Sequence, residues 1–343
     1  MTQPLIRLCV IPGDGIGPEV TQAAVAVLEA ATDRVQVDWA SAGWQTFCEQ
    51  GDSVPEATLE KIRDCGAALF GAVASPARKV EGYRSAILKI RQTLDLYANL
   101  RPVRGSWALG GREDIDLMIV RENTEGLYVG QESIDCDGRR ATAERVITQA
   151  ASQRIGEMAG RIAEQRSTGG KVTIVHKANV LPLSDGLFRD SVRSVLQDMD
   201  CPLQIDEGLV DIVAHRLVTQ PEQFQVIVTT NMFGDILSDL AACWCGGMGR
   251  APSLNLGAAF AVAEPVHGSA PDITGQGVAD PTASILSLAL LCRHHWQDAA
   301  LAERLEQAVK MAIQKWGQGP MQTDEFTRLV IHHLKPATIS SLS

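Results

Sequence analysis

Short apolar runs of β type recur along this chain, and stretches of helical period separate them. The runs fall at 5–11, 35–39, 67–73, 117–120, 172–175, 205–211 and 226–228. Helical patterns follow at about 19–31, 54–64, 148–165, 187–199, from 233 onward, 282–291 and 301–316. A strand-then-helix alternation predicts an α/β fold with a largely parallel sheet, because parallel neighbours need a crossover between them. The 343 residues exceed one typical core, so two domains are expected.

Composition removes several function classes. With 45% hydrophobic and 21% charged residues the chain reads as globular. A net charge of -10 argues against a nucleic-acid partner and requires any acidic ligand to find its own local arginines. No apolar run reaches membrane-spanning length, and the N-terminal stretch lacks the charged start and cleavage site of a signal peptide. The eight cysteines show no framework spacing, and the Cys243/Cys245 pair matches neither a redox nor a zinc motif. They read as reduced thiols of a cytoplasmic protein. His294 and His295 are adjacent and cannot share a helix face as ligands. The tail from Pro336 to Ser343 reads as frayed.

Chemistry concentrates at a few places. In VIVTTNMFGDILSDLAACWC, Asp235 and Asp239 are four residues apart and share one helical face. Like charges at that spacing cost a few tenths of a kcal/mol, roughly, unless neutralised. A hard divalent cation such as Mg²⁺ or Mn²⁺ would do this; a solvated face is the plainer reading. Arg91 and Arg101 are read as flanking a helical segment ending before Pro102, and Arg121 as following a strand. Converging, the three would hold a polycarboxylate by bidentate pairs; taken singly, each reads as a surface ion pair. Lys177 closes a buried run, where desolvation favours the neutral amine that a base needs, unless the side chain reaches water. The GDGIG loop at 13–17 has the outline of a phosphate cradle but not its spacing, and reads as a tight strand-to-helix turn. The polar stretch 125–146 reads as a hairpin arm.

Six segments, IPGDGIGPEV, LDLYANLRPV, VRENTEGLYVGQE, VHKANVLPLSDGLF, NMFGDILSDLAA and EPVHGSAPDITGQG, together resemble the β-decarboxylating dehydrogenases, the isocitrate, homoisocitrate and 3-isopropylmalate enzymes and their kin. They run in family order over nearly the whole chain. The resemblance implies a two-domain α/β fold that is not a Rossmann fold, with mixed sheets flanked by helices. The cofactor-side domain would be discontinuous, 1–98 with 248–343, and 99–247 would form the substrate and dimerisation domain with its arm at about 125–146. It implies a homodimer with shared active sites, NAD, and Mg²⁺ or Mn²⁺. Arg91, Arg101 and Arg121 would bind the malate-like core of the substrate. Asp235 and Asp239, with Asp211 from the other subunit, would ligate the metal. Lys177, also from the partner, would take the hydroxyl proton, and Tyr128 would protonate carbon. Asn179, His267, Gly268, Ser269, Ala270, Asp272 and Asp280 would contact the cofactor. Asp272 fits NAD, since a carboxylate accepts from ribose hydroxyls and repels a 2′-phosphate. Asp280 stands where the family usually carries Asn.

The segment before Arg91 would face the part of the substrate that varies. Ser85 is isocitrate-like there, whereas Ile87 and Leu88 are more like the isopropylmalate or D-malate enzymes. ENTE and HKANVLPLSDGLF favour the isocitrate and homoisocitrate side, with Arg84 or Lys89 reaching a distal carboxylate. Homoisocitrate or isocitrate is therefore the expected substrate, and 3-isopropylmalate or D-malate/tartrate the alternative. A non-catalytic regulatory subunit would have lost Tyr128, Lys177 or a metal aspartate, all of which are present. A plain nucleotide-binding module would leave the arginines and aspartates unexplained.

Overall fold

The computed structural model describes residues 5–76, 78, 80–166 and 170–334; the expected frayed tail lies outside them. In chain order the elements are β1 Ile6–Gly13, α1 Gly17–Ala31, β2 Val35–Trp39, α2 Trp44–Gln50, α3 Glu56–Cys65, β3 Ala67–Ala72 and α4 Ala86–Thr93. Next come β4 Ala98–Arg104, β5 Asp116–Glu122, β6 Glu132–Ile134, β7 Ala141–Ala143, α5 Gln149–Glu164 and β8 Lys171–His176. Then follow α6 Ser184–Gln197, β9 Gln204–Leu209, α7 Val210–Thr219, β10 Val226–Thr229 and α8 Asn231–Ala241. The chain closes with β11 Pro252–Leu256, β12 Ala261–Pro265, α9 Thr282–His294, α10 Ala299–Trp316 and α11 Thr323–Leu334. It divides into two compact units: Met1–Leu94 with Gly105–Arg112 and Trp244–Ser343, and Asp95–Arg104 with Glu113–Cys243.

In the first unit the strands run in the order β2-β1-β3-β12-β11. Only the β11/β12 pair is antiparallel among the described residues; β1/β2, β1/β3 and β3/β12 are parallel. Leu8, Cys9, Val10 and Ile11 are all fully buried, so β1 is covered on both faces, as a parallel strand between helices must be. Helix α9 is buried almost all round, from Thr282 to Cys292, and is an internal helix rather than an amphipathic one. The GDGIG turn is tightly packed. A side chain at Gly13, which has φ +71°, would collide with the Ala72 carbonyl, and one at Gly15 with Ser269. Between these glycines, Asp14 accepts from the amides of Trp44 (2.8 Å), Gln45 (3.0 Å) and Ala74 (2.9 Å), capping α2 from a distant loop.

The second unit orders its strands β4-β5-β10-β8-β9, with β4/β5 antiparallel and the others parallel. Thr148 caps α5 by accepting from the Ala151 amide. Strands β6 and β7 form a separate antiparallel ribbon whose residues are all exposed. Gly126 and Val146 bridge at its foot.

Three local expectations are corrected. Arg101 does not border a helix: α4 ends at Thr93, and Arg101 and Pro102 lie within β4. Asp211 does not end a strand but opens the first turn of α7. The helix bearing Asp235 starts at Asn231, two residues earlier than its pattern implies.

Candidate active site

In the second unit, β4 and β5 bring Arg101 and Arg121 toward α8. The two strands are antiparallel with Asn99 opposite Arg121 and Arg101 opposite Ile119. Helix α8 crosses close above because Gly234 has no side chain: a Cβ there would sit 2.6 Å from Arg121 Cγ. Arg121, 1% exposed, donates from Nε (3.1 Å) and Nη2 (2.7 Å) to Asn231 Oδ1 and pairs through Nη1 with Asp235. Arg101 donates from Nε to Asn99 Oδ1 (2.7 Å) and from Nη1 to Ser238 Oγ (2.7 Å) and Asp239 Oδ1 (3.0 Å). Its Nη2 lies 3.3 Å from Asp235 Oδ1. The like-charge cost of the two aspartates is thus met by two guanidiniums. Asp239 titrates above the usual carboxylate range because it is half-buried; Arg101 pulls the other way and Asp235 adds to the rise.

Tyr128 stands on a single 3-10 turn, Leu127–Val129. Its hydroxyl donates to Asp235 Oδ2 at 2.6 Å, and its ring lies under the Arg121 guanidinium, 5.1 Å from the ring centre. Burial first, and then the bond to Asp235, push this phenol above its ordinary value.

Lys177 follows β8. Its backbone amide donates to Asp185 Oδ2 (2.6 Å), and its carbonyl accepts from Val180 and Leu181 (both 2.9 Å). Its ammonium pairs with Asp211. That bond holds the Asp211 carboxyl below its usual range. Asn179 is exposed just beyond Lys177. Asp235 and Asp239 come together, but among the described residues no three His, Cys, Asp or Glu side chains form a group able to hold a metal ion. Within one chain, Asp211 is therefore committed to Lys177 rather than added to that pair.

The first unit holds the remaining candidates. Arg91 on α4 is buried and pairs with Glu264 at the end of β12, yet its Nε has no partner among the described residues. Ser85 and Leu88 are half-buried at the start of α4. Lys89 is not free for a ligand: Nζ meets Asp52 Oδ1 (2.6 Å), Asp52 Oδ2 (2.8 Å) and the Val54 carbonyl (2.9 Å). Arg84 is exposed and donates to Gln92 Oε1 (2.7 Å).

The loop from His267 to Asp272 packs on the glycine turn, where the Ile16 amide donates to the Ser269 carbonyl (2.9 Å). Ala270 takes the left-handed conformation (φ +40°), and Gly268 and Asp272 are exposed. His267 is largely buried, which lowers its pKa; its Nδ1 lies 3.0 Å from the Gly268 carbonyl and its Nε2 is buried without a partner among the described residues. Asp280 pairs with Arg250 (2.9 Å) and accepts from the Thr282 amide (3.0 Å), opening α9.

Several residues of this machinery carry little sequence signal of their own. Asn231, Ser238 and Asn99 orient the arginines, and Glu264 neutralises Arg91. Arg145 and Asp185 meet behind Lys177. Asn231, Ser238, Glu264 and Asp185 all lie inside the quoted segments, so a search for buried polar groups there would have raised them.

A model of the isocitrate/isopropylmalate dehydrogenase family matches residues 7–334. An isocitrate/homoisocitrate dehydrogenase of Thermus thermophilus is 51% identical over 334 residues, covering 96% of this chain and 98% of that protein. A 3-isopropylmalate/3-methylmalate dehydrogenase of Methanocaldococcus jannaschii is 44% identical over 311 residues, covering 90% and 91%. The crystal structure of isocitrate dehydrogenase from Methylococcus capsulatus matches with a TM-score of 0.90 at 38% identity, covering 97% of this chain and 100% of that one.

Proposed function

This chain belongs to the isocitrate/isopropylmalate dehydrogenase family, a family of β-decarboxylating oxidoreductases, and we propose that it carries out NAD- and Mg²⁺- or Mn²⁺-dependent oxidative decarboxylation of a 2-hydroxy-3-carboxy acid, homoisocitrate or isocitrate. One observation carries the reading: Arg101 and Arg121 converge on Asp235 and Asp239, with the Tyr128 hydroxyl donating to Asp235. Two guanidiniums and two carboxylates sum to zero charge. A dicarboxylate arriving alone would leave two negative charges in a half-buried place, and a divalent cation arriving with it would cancel them. The carboxylate oxygens suit a hard cation, so the donor chemistry fits Mg²⁺ or Mn²⁺. The unpartnered Nε of Arg91 fits a third contact to substrate, and the unpartnered Nε2 of His267 fits a cofactor contact.

When bound, NAD supplies the hydride acceptor and the divalent cation the positive charge that favours loss of CO₂. The chain's own residues do the rest. The arginines orient the two carboxylates of the malate core. Lys177, as its neutral amine, takes the hydroxyl proton as hydride leaves C2, and Tyr128 returns a proton to C3 after CO₂ departs. The sum is a 2-oxo acid, CO₂ and NADH.

The active unit of this proposal is a homodimer in the cytoplasm, with Lys177 and Asp211 presented to the other protomer's Asp235, Asp239 and Tyr128. Two features of the second unit support an interface. Leu183, Leu187, Ile212, Ile236 and Leu240 are exposed on or beside α6, α7 and α8. The β6–β7 ribbon is two-stranded and wholly exposed, an arrangement marginal in water unless it is covered.

The name of the Thermus relative and the ENTE and HKANVLPLSDGLF segments support a tricarboxylate. A second reading, 3-isopropylmalate or D-malate, gains from α4: Ile87 and Leu88 are apolar and half-buried, and Lys89 is already engaged. NADH formation with Mg²⁺ on homoisocitrate, isocitrate, 3-isopropylmalate and D-malate decides. The proposal expects the highest kcat/KM on a tricarboxylate; a preference for isopropylmalate or D-malate overturns that substrate, and no turnover on any returns the regulatory-subunit reading.

A further inference from the structure

Asp185 is fully buried, and nothing in the chemistry above uses it. Burying a carboxylate is costly unless its charge and lone pairs are met. Here Oδ1 pairs with Arg145 Nη1, and Oδ2 accepts from the Lys177 amide at 2.6 Å. The same guanidinium donates to Ser184 Oγ (3.0 Å) and to Thr230 Oγ1 (3.3 Å), and lies over the Phe233 ring, 5.5 Å from its centre. Thr230 is the N-cap residue of α8, the helix of Asp235 and Asp239. Arg145 precedes Val146, whose carbonyl takes the Gly126 amide (2.8 Å) at the foot of the arm, two residues before Tyr128. One ion pair, its carboxylate fully buried and its guanidinium partly exposed, therefore touches the main chain of Lys177, the start of α8 and the segment leading from Tyr128's turn.

We infer that Asp185 and Arg145 are positioning residues of the reaction: they fix the backbone of Lys177 so that only its side chain swings, and tie it to the same chain's elements carrying Tyr128 and the metal aspartates, which serve the other site of the dimer. This rests on Lys177 being the base. The loss of a carboxylate that merely stabilised the start of α6 would lower stability without a selective effect on turnover.

The test uses the full-length protein on its best substrate, with circular dichroism and thermal melting beside the kinetics. Asp185→Asn keeps the shape and one acceptor but loses the charge. It is expected to lower kcat about tenfold to a hundredfold with KM within about threefold, since small misplacement of a reacting group costs that much. Arg145→Gln is expected to do the same, and Arg145→Lys to restore part of the loss. A folded Asp185→Asn with kcat within about twofold of the parent overturns the inference. Should that variant not fold, Arg145→Gln, at a partly exposed residue, decides by the same limits. Lys177→Met separates the two readings. Full turnover in Lys177→Met removes the base and the inference together. Loss in Lys177→Met with full turnover in Asp185→Asn removes the inference alone.

Discussion

Tyr128 donates its phenolic hydrogen to Asp235 Oδ2 at 2.6 Å, so the residue read as the acid and a residue read as a metal ligand are in direct contact. Burial, then this bond, raises the phenol's pKa, and the Arg121 cation opposes them. A raised value means that the proton is held below the ordinary value near 10 and is lost only as the pH rises through the higher one. Turnover should therefore show no alkaline decline from this group at pH 8–9, roughly. Tyr128→Phe should lower kcat by about a hundredfold or more with little change in KM, the usual contribution of a placed acid. A folded Tyr128→Phe with nearly parental kcat would remove the phenol from the chemistry.

Asp235 and Asp239 pair with Arg101 and Arg121, so a cation and an anionic substrate arriving together keep the charges balanced and should bind cooperatively. EDTA should abolish turnover, and Mg²⁺ or Mn²⁺ should restore it. Asp239→Asn should raise the half-saturating Mg²⁺ concentration about tenfold or more, since one charged ligand is lost. Undiminished activity after exhaustive chelation would sink the metal proposal.

Much of this arrangement is legible in the sequence because it is local. The strand-to-helix alternation, the Asp235/Asp239 face and the helix pattern over 148–165 all depend on neighbours a few residues away. What escapes depends on distant partners. Arg101 reads as the edge of a helix because Leu94, Leu96 and Leu100 sustain an apolar pattern, yet Asp95 takes φ +45° and the chain turns into β4. Glu264 meets Arg91 across 173 residues, and Asp185 meets Arg145 across 40. Lys89 reads as available for a substrate, yet Asp52, 37 residues earlier, takes its charge. No local spacing encodes such pairs.

Asp272 lies exposed on the loop that packs against the glycine turn. A carboxylate there favours ribose hydroxyls and repels a 2′-phosphate, so NAD should be used in strong preference to NADP. Asp272→Ser should narrow the ratio of kcat/KM for the two cofactors by about tenfold or more, mainly by losing NAD affinity and relaxing repulsion of NADP. A ratio unchanged by the substitution would place discrimination elsewhere in the cofactor loop.

Gly234 sets two effects against each other. Alanine in a helix is favoured over glycine by about 1 kcal/mol. Its Cβ, however, would lie 2.6 Å and 2.7 Å from the Cγ and Cβ of Arg121, a side chain only 1% exposed and held at its far end by Asn231 and Asp235. Overpacking of this kind costs roughly 1–3 kcal/mol, so the clash should win or break even. Gly234→Ala should leave stability unchanged or lower by up to about 2 kcal/mol and raise substrate KM severalfold through a displaced Arg121. A thermal melt and a KM measurement check both; a stabilised variant with parental KM would show that α8 can retreat freely.

Lys89 is the remaining test of substrate size. An ammonium has three donors, and all three are accounted for by the two Asp52 oxygens and the Val54 carbonyl. This clamp ties α4 to the 52–54 loop, and Ser53 Oγ donates to the Arg84 carbonyl (2.6 Å) beside it. The pair is partly exposed, so its loss should cost about 1 kcal/mol or less. Lys89→Met should then loosen the helix carrying Ser85, Leu88 and Arg91 and raise KM for every active member of the panel alike, by no more than about threefold. If instead KM rises more than about tenfold for tricarboxylates and stays put for isopropylmalate or D-malate, Lys89 leaves Asp52 to take the distal carboxylate, because only a direct charge contact separates the substrates in that way.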